Sequence, residues 1–355
     1  MARLSRAQTQ ELTRARVLAA ARAEFAGRGF QDAKIDAIAE RAELTRGAVY
    51  SNFPGKRALY FAVLADLAEQ APEPPGAGPG RTPRDALGAF ARAWTGRLPL
   101  AGGGEESLLG AHLLPEVLTD DRTRVPFAQL MRLNAVLLGL ALENLGAPGR
   151  RVRTAEAVLT TLHGASRLAA AAPGFVDPFA VVAACERLAG LDLADETLVP
   201  PYLAEVRPAD DPWTPPEATD AVRREPAGLT ADGVLAVLGL HRLEAAEEAV
   251  RAAAPGEQVT VAVVTGDPGE LAPLARLAVA DPAGCLRAAF PMAAWPRLRV
   301  VHDPAGVIAA TAGITEVDDA TETAVRIAGG RIALRATGRG AARKVAAATA
   351  RASSG

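Results

Sequence analysis

Leu44-Thr45-Arg46-Gly47-Ala48-Val49-Tyr50-Ser51-Asn52-Phe53-Pro54-Gly55-Lys56 decides how residues 1–70 are read. Thr45 caps a short helix from Arg46 to about Asn52. Pro54-Gly55 breaks it, and Lys56 opens the next helix. Upstream, Arg14 to Gly27 predicts an amphipathic helix, with Leu18, Ala21 and Phe25 at helical spacing, ended by Gly27 and Gly29. Asp32 caps a short helix from Ala33 to Ala42, whose apolar face is Ile35, Ile38, Ala39 and Ala42. Glu43-Leu44 supplies a tight turn. Two short helices joined this way make a helix-turn-helix. Ala39 is small enough to let them approach, and Leu44, Val49 and Phe53 point inward to fix their angle.

This arrangement leaves Arg46, Gly47, Tyr50, Ser51 and Asn52 on the free face of a helix that fits the DNA major groove. Arginine reads guanine there, and serine or asparagine reads several base edges. Thr45, Tyr50 and Lys56 sit at the rim, where phosphates run. Lys56 and Lys34 add charge to the positive ends of their helices. Residues 1–60 carry eleven Lys or Arg against six Asp or Glu, on a chain of net charge −2. A basic head on an acidic body points to a polyanion partner at the N-terminus only. On charge alone, a solvated arginine-rich helix reads equally well.

Phe30, Ile35, Ile38-Ala39-Glu40-Arg41-Ala42, the Leu44–Lys56 stretch and Leu59 together resemble the DNA-binding domain of TetR-family transcriptional regulators. The resemblance implies a homodimer that carries such a domain at each end and binds double-stranded DNA at a palindromic operator. It implies phosphate contacts from Thr45, Tyr50 and Lys56, and base-facing Arg46, Gly47 and Ser51, with Asn52 and Lys34 beside them. Two positions depart from the pattern. The family usually has Gly where this chain has Glu43, and Thr or Ser where it has Ala33 and Lys34. Glu43 is therefore expected to face solvent, and Lys34 to replace a hydroxyl contact with a charged one.

Residues 84–191 read as helical, after a loop of Pro and Gly from Pro72 to Pro83 and with a second break at Ala101-Gly102-Gly103-Gly104. By position they resemble the ligand-binding and dimerisation domain of the same family. Thr154–Ala171 and Pro178–Ala189 would be its last two long helices. Val158, Leu162, Ala165 and Leu168 form one stripe, and Val181, Cys185 and Leu188 another. The resemblance implies that both helices pair with their twofold mates as a four-helix bundle. A core stripe within one subunit has the same spacing. Cys185 on that stripe reads as a small apolar residue. A pocket for a small-molecule effector would lie around Trp94, His112, Met131 and Asn134, although plain core gives the same pattern. His112 and His163 have no partner at metal spacing, so no metal is assigned.

Residues 192–228 contain Pro200, Pro201, Pro208, Pro212, Pro215, Pro216 and Pro226, and read as an inter-domain linker. Beyond it strands appear for the first time. Val234–Leu240, Gln258–Thr265 and Leu298–His302 read as strands, and Leu243–Ala254 and Glu270–Val279 as helices between them. Ala305–Ala312 reads as a helical turn. Thr323–Ala328 and Arg331–Arg335 form a hairpin around Gly329-Gly330. A helix from Gly340 to Ala350 closes the chain. This order predicts a mixed sheet with helices on both faces. Val300-Val301-His302-Asp303-Pro304-Ala305-Gly306 and Gly329-Gly330-Arg331-Ile332-Ala333-Leu334-Arg335 resemble a thioredoxin-like fold, nearest its peroxiredoxin branch. A redox member needs a Cys at the start of the first helix. Here that place reads Leu240-His241-Arg242-Leu243. The family's cis-proline is absent from Asp319-Ala320-Thr321-Glu322-Thr323, and Cys285 lies after the second helix. Residues 229–355 are thus expected to keep an α/β thioredoxin-like fold without thiol chemistry, leaving ligand sensing, protein contact or bracing of a dimer.

Hydrophobic residues make 49% of the 355 residues and charged residues 23%, which excludes disorder throughout. The length suits two or three domains. The start, Met1-Ala2-Arg3-Leu4-Ser5-Arg6, is not read as a signal peptide, and no uninterrupted apolar run spans a bilayer. Two distant cysteines argue against a disulfide framework and fit a reducing cytoplasm. The expectation is a multidomain, cytoplasmic, ligand-responsive regulator, a repressor as most of that family are, with no catalytic residue and no cofactor. The alternative is a redox sensor or thioredoxin-fold oxidoreductase that carries a DNA-binding head.

Overall fold

The computed structural model describes residues 5–72, 78–98, 105–191, 193 and 204–348. The break at 101–104, Pro200 and Pro201 lie outside the described residues. Four helices build the head: α1 (Arg6–Asp32), α2 (Ile35–Arg41), α3 (Arg46–Asn52) and α4 (Lys56–Gln70). Helix α1 begins at a reciprocal cap, in which Gln8 N donates to Ser5 Oγ at 3.2 Å and Ser5 N to Gln8 Oε1 at 2.8 Å. It runs longer than the sequence predicts at both ends and kinks at Gly29, whose φ is +71°. Asp32 is the last residue of α1 rather than a cap. Lys34 stands at the cap of α2 and makes no side-chain bond there. Val49 and Phe53 are buried as the pattern requires, with Phe25, Ile38 and Leu59 beside them.

The helical body comprises α5 (Pro83–Thr95), a 3-10 turn over Glu105–His112, α6 (Leu113–Val117), α7 (Asp121–Asn144), α8 (Val152–Ala171) and α9 (Pro178–Leu188). Asp120 caps α7, accepting from Thr123 N at 3.1 Å, and Asp177 caps α9, accepting from Phe179 N at 2.9 Å. Helix α7 is long and apolar enough to cross a membrane, but 72% of its apolar window is buried inside the protein, which makes it a core helix. The stripe expected at a dimer interface is largely core within one subunit. Val158, Leu162 and Cys185 are fully buried, Ala165 nearly so, and Val181 and Leu188 pack partly buried against them. Periodicity marks a buried face without saying what buries it. In α8, α9 and the loop between them, the large apolar side chains left exposed are Leu168, Phe175 and Phe179.

The C-terminal sheet is six-stranded. Its strands are β1 (Arg207–Pro212), β4 (Gly233–Gly239), β5 (Val259–Val264), β6 (Leu298–His302), β7 (Glu322–Ala328) and β8 (Arg331–Thr337), in the order β1-β8-β7-β4-β5-β6. Strands β2 (Thr219–Asp220) and β3 (Glu225–Pro226) make a separate ribbon. Neighbours β4, β5 and β6 are parallel, and the remaining pairs antiparallel. Helices α10 (Ala245–Ala252), α11 (Leu271–Ala289), α12 (Val307–Thr311) and α13 (Ala341–Ala347) complete the domain. Strands β4 and β5 are buried throughout, as parallel strands covered on both faces are. Val234, Ala236 and Leu238 join the larger core, and Leu235 and Val237 pack on the opposite face against Trp213 and Ile308. Gly329 and Gly330 both take positive φ, +58° and +72°, at the hairpin turn.

The proline-rich stretch is therefore more than a linker. Its residues 207–212 form an edge strand antiparallel to β8, with Pro208 opposite Leu334 and Pro212 opposite Arg331. Proline is tolerated at an edge, where one side of the strand needs no ladder donor.

Helix α11 joins the two halves of the molecule. It packs against α4, α5 and α7, and its buried apolar residues share one core with those of β4 and β5. Arg57 on α4 pairs with Glu270, Glu69 on α4 with Arg276, and Arg97 with Asp281 at 2.6 Å. Farther along, Glu247 on α10 accepts from Arg150 at 2.6 Å, and Glu143 on α7 accepts from Arg251 at 2.9 Å.

Candidate nucleic-acid interface

The turn between α2 and α3 is tied by Leu44 N donating to Ala39 O at 2.9 Å. Thr45 caps α3, its hydroxyl accepting from Ala48 N at 3.2 Å. Val49 and Phe53 anchor the buried side of α3, so its opposite face turns outward. Thr45, Arg46, Gly47, Tyr50 and Ser51 are all exposed on it. Ser51 donates back to Gly47 O and Asn52 to Ala48 O, each at 2.9 Å, so both side chains lie along their own helix. Arg46 pairs with Asp36 at 3.3 Å and lies 5.5 Å from the Tyr50 ring centroid. Lys34 is exposed at the start of α2.

Gly47 is exposed in the first turn of α3, where glycine favours the helix less than alanine would. Nothing inside the protein asks for it: a Cβ there would meet only Thr45 Oγ1, at 3.8 Å. A residue kept bare on an exposed helix suits close approach by something outside the chain.

Lys56 has a task that its place in the sequence does not reveal. Its ammonium donates to Gln31 O at 2.9 Å and Ala33 O at 3.1 Å, and lies 4.7 Å from the Phe30 ring centroid. It thus neutralises the negative end of α1 while holding that end to the start of α4. Glu43 is exposed, as expected, and takes φ +53°, the left-handed conformation that glycine accepts freely. It pairs with Arg16 at 3.0 Å.

Residues 17–63 match the family model of the bacterial regulatory proteins, tetR family. Two curated relatives, both from Pseudomonas putida, are each 48% identical over 65 residues, which is 18% of this chain. They are the HTH-type transcriptional regulator SrpR and the uncharacterized HTH-type transcriptional regulator TtgW. The aligned stretch spans only 30% and 48% of their own lengths, so the likeness concerns the head. A solved TetR transcriptional regulator from Rhodococcus sp. RHA1 aligns over 51% of this chain and 94% of its own, at 20% identity and TM-score 0.36. The head of this chain is thus a tetR-type helix-turn-helix.

Arg14 and Arg57 of the tetR-type head carry no signal in the sequence. Arg14 donates to Asn52 O at 3.3 Å and sits 4.4 Å from the Phe53 ring centroid, capping α3 from outside. Arg57 spans from Asp120 at 3.2 Å to Glu270, and so ties the head to both the body and the C-terminal domain. Both contacts join residues distant in sequence, and no local pattern marks them.

The four residues expected around an effector pocket separate. Trp94 borders a cavity of about 540 Å³ bounded by α4, α5, α8 and α11. His112 lies instead at the joint of head and body, its ring 6.4 Å from that of Phe30. Met131 packs partly buried against the core. Asn134 is buried and donates to Ala278 O of α11 at 2.7 Å, so it belongs to the domain joint. Among the described residues no group of three His, Cys, Asp or Glu could hold a metal.

Proposed function

We propose that the protein is a cytoplasmic transcriptional repressor that binds a palindromic operator as a homodimer and responds to a small molecule. The observation that carries the DNA-binding part is the outward face of α3, with exposed Thr45, Arg46, Tyr50 and Ser51 around a glycine the protein itself does not need. Exposed Phe175, between α8 and α9, and Phe179, on α9, support a twofold partner on that side of the body. Two linked heads then meet half-sites one helical turn apart, or a multiple of it.

The sheet domain is read as thioredoxin-like in topology and non-catalytic. Arg242, near the place where a redox thiol would stand, pairs with buried Glu322 at 2.6 Å. The thiol of Cys285 is fully buried in α11 and pushed up to about 12 by that burial, which suits a packing residue and not a nucleophile. These features speak against the oxidoreductase alternative.

Selection of the purified protein against random duplexes across a salt series tests the reading. A palindrome with a steep salt slope is expected. Recovery of no sequence by folded protein sinks it.

A further inference from the structure

We propose that the sheet domain, besides the helical body, sets the position of the reading head, and that Gly269 is a positioning residue for DNA recognition. The inference rests on the reading of a homodimer on a palindrome, and it says which part of the chain holds each head in place. Helix α4 carries the head, since only Phe53, Pro54 and Gly55 separate it from α3. The sheet domain grips both ends of α4. At its start, Arg57 pairs with Glu270. Near its end, Glu69 accepts from Arg276 Nε at 2.8 Å. Arg224, in the turn of the β2–β3 ribbon, donates to Ala68 O at 3.0 Å and to Ala71 O at 3.2 Å. Those carbonyls lie where a helix ends and has no donors of its own to offer.

The loop between β5 and α11 reaches the end of α3 itself. Pro54 follows Phe53, the C-cap of α3, and its ring lies against Gly269. A Cβ on residue 269 would stand 2.9 Å from Pro54 Cγ and 3.3 Å from its Cδ, nearer than carbon atoms pack. The backbone of Gly269 is not left-handed, so it would accept a side chain, and its bareness answers to Pro54. The loop is held by its own domain. Thr265 donates to Asp319 Oδ1 at 2.6 Å and accepts from Asp267 N at 3.1 Å. Asp267 accepts in turn from Glu270 N at 3.3 Å and, through its carbonyl, from Leu271 N at 2.9 Å. A side chain placed at 269 therefore pushes on Pro54, and through it on α3, while the loop stays where it is.

The native chain, Gly269→Val, Pro54→Ala and the double variant test this, all full-length. Spin labels at Glu40→Cys on α2 and Ala310→Cys on α12, both exposed positions, report the distance from head to sheet domain with no DNA present. Both native cysteines are buried and do not compete for label. Labelled chain is diluted with unlabelled chain, so each distance lies within one subunit. Gly269→Val should shift that distance. It should also lower affinity for the selected operator about tenfold, because the two heads no longer meet both half-sites. Affinity for a single half-site should stay the same, whereas damage to α3 would lower both. Pro54→Ala removes the atoms that the new side chain strikes, so the double variant should return to within about twofold of Pro54→Ala alone, with the native distance. If Gly269→Val does not fold, Gly269→Ala sets the same Cβ on Pro54 and is read in the same way. An unmoved distance, equal losses on operator and half-site, or no rescue by Pro54→Ala overturns the proposal. A chain that selects no duplex loses the regulator reading, while the label distance still decides whether the sheet domain positions the head. A chain that selects an operator but shows no shift in Gly269→Val loses only this inference.

Discussion

The side-chain amide of Asn134 on α7 donates at 2.7 Å to the carbonyl oxygen of Ala278 on α11. That oxygen is the one Pro282 leaves without a helical donor, since proline at position i has no N–H for the carbonyl at i−4. One helix of the body thus completes the hydrogen bonding of a helix in the sheet domain. Asn134→Leu should cost about 1–3 kcal/mol by leaving a buried acceptor unpaired. In a Pro282→Ala background the helix supplies its own donor, and the same substitution should cost less than half as much. Denaturant midpoints of the four proteins give the coupling. Additive costs would mean that the two residues are independent.

Glu43 takes a backbone conformation suited to glycine, and its exposed pair with Arg16 adds little. Glu43→Gly should therefore raise stability by about 0.5–1 kcal/mol. A thermal melt of the two proteins checks the sign, and a lower melting temperature would count against strain at the turn.

Gly47→Ala should separate stability from recognition. The added methyl fits the free protein and should stabilise α3 by up to about 1 kcal/mol. Against the selected operator it should weaken binding at least about tenfold, if the backbone of α3 closely approaches DNA. Fluorescence anisotropy with a labelled duplex gives the second number. Unchanged affinity would remove Gly47 from the contact face.

Glu247 is the acid-labile point of the domain joint. Burial raises its pKa, but Arg150 and Arg251 outweigh burial and hold it below the usual carboxylate value. A depressed folded pKa contributes stability above the unfolded value, about 4.3, and loses it as pH falls through the folded one. Melting temperatures of the native chain and Glu247→Gln should therefore differ most near neutrality and converge as pH falls from about 5 toward 3. A constant gap across that range would show that the carboxylate does not titrate with folding.

The head is legible in the sequence because its rules are local. A threonine cap, a Pro-Gly break and inward Val49 and Phe53 each act within a turn or two of chain. The buried parallel strands and the Gly329-Gly330 hairpin are legible for the same reason. Helix α11 reads too short, ending at Val279, because Pro282 and Gly284 resemble breakers. Asn134, far away in sequence, supplies the missing donor. The edge strand 207–212 is hidden by its prolines, which only a position at the rim of a sheet makes harmless. Asn134 itself reads as a ligand contact because a polar residue in an apolar helix announces a need for a partner, not its identity. Lys56 reads as a phosphate contact for a similar reason: a charge near a helix start does not reveal that another helix ends beside it.

The position of α11 bears on how the chain is made. Residues 5–70 hold all of the helix-turn-helix, yet α4 takes much of its cover from residues 271–289, which are made far later. Synthesis halted in the body therefore leaves a sticky, incomplete product. Nascent fragments of this kind tend to aggregate or be degraded.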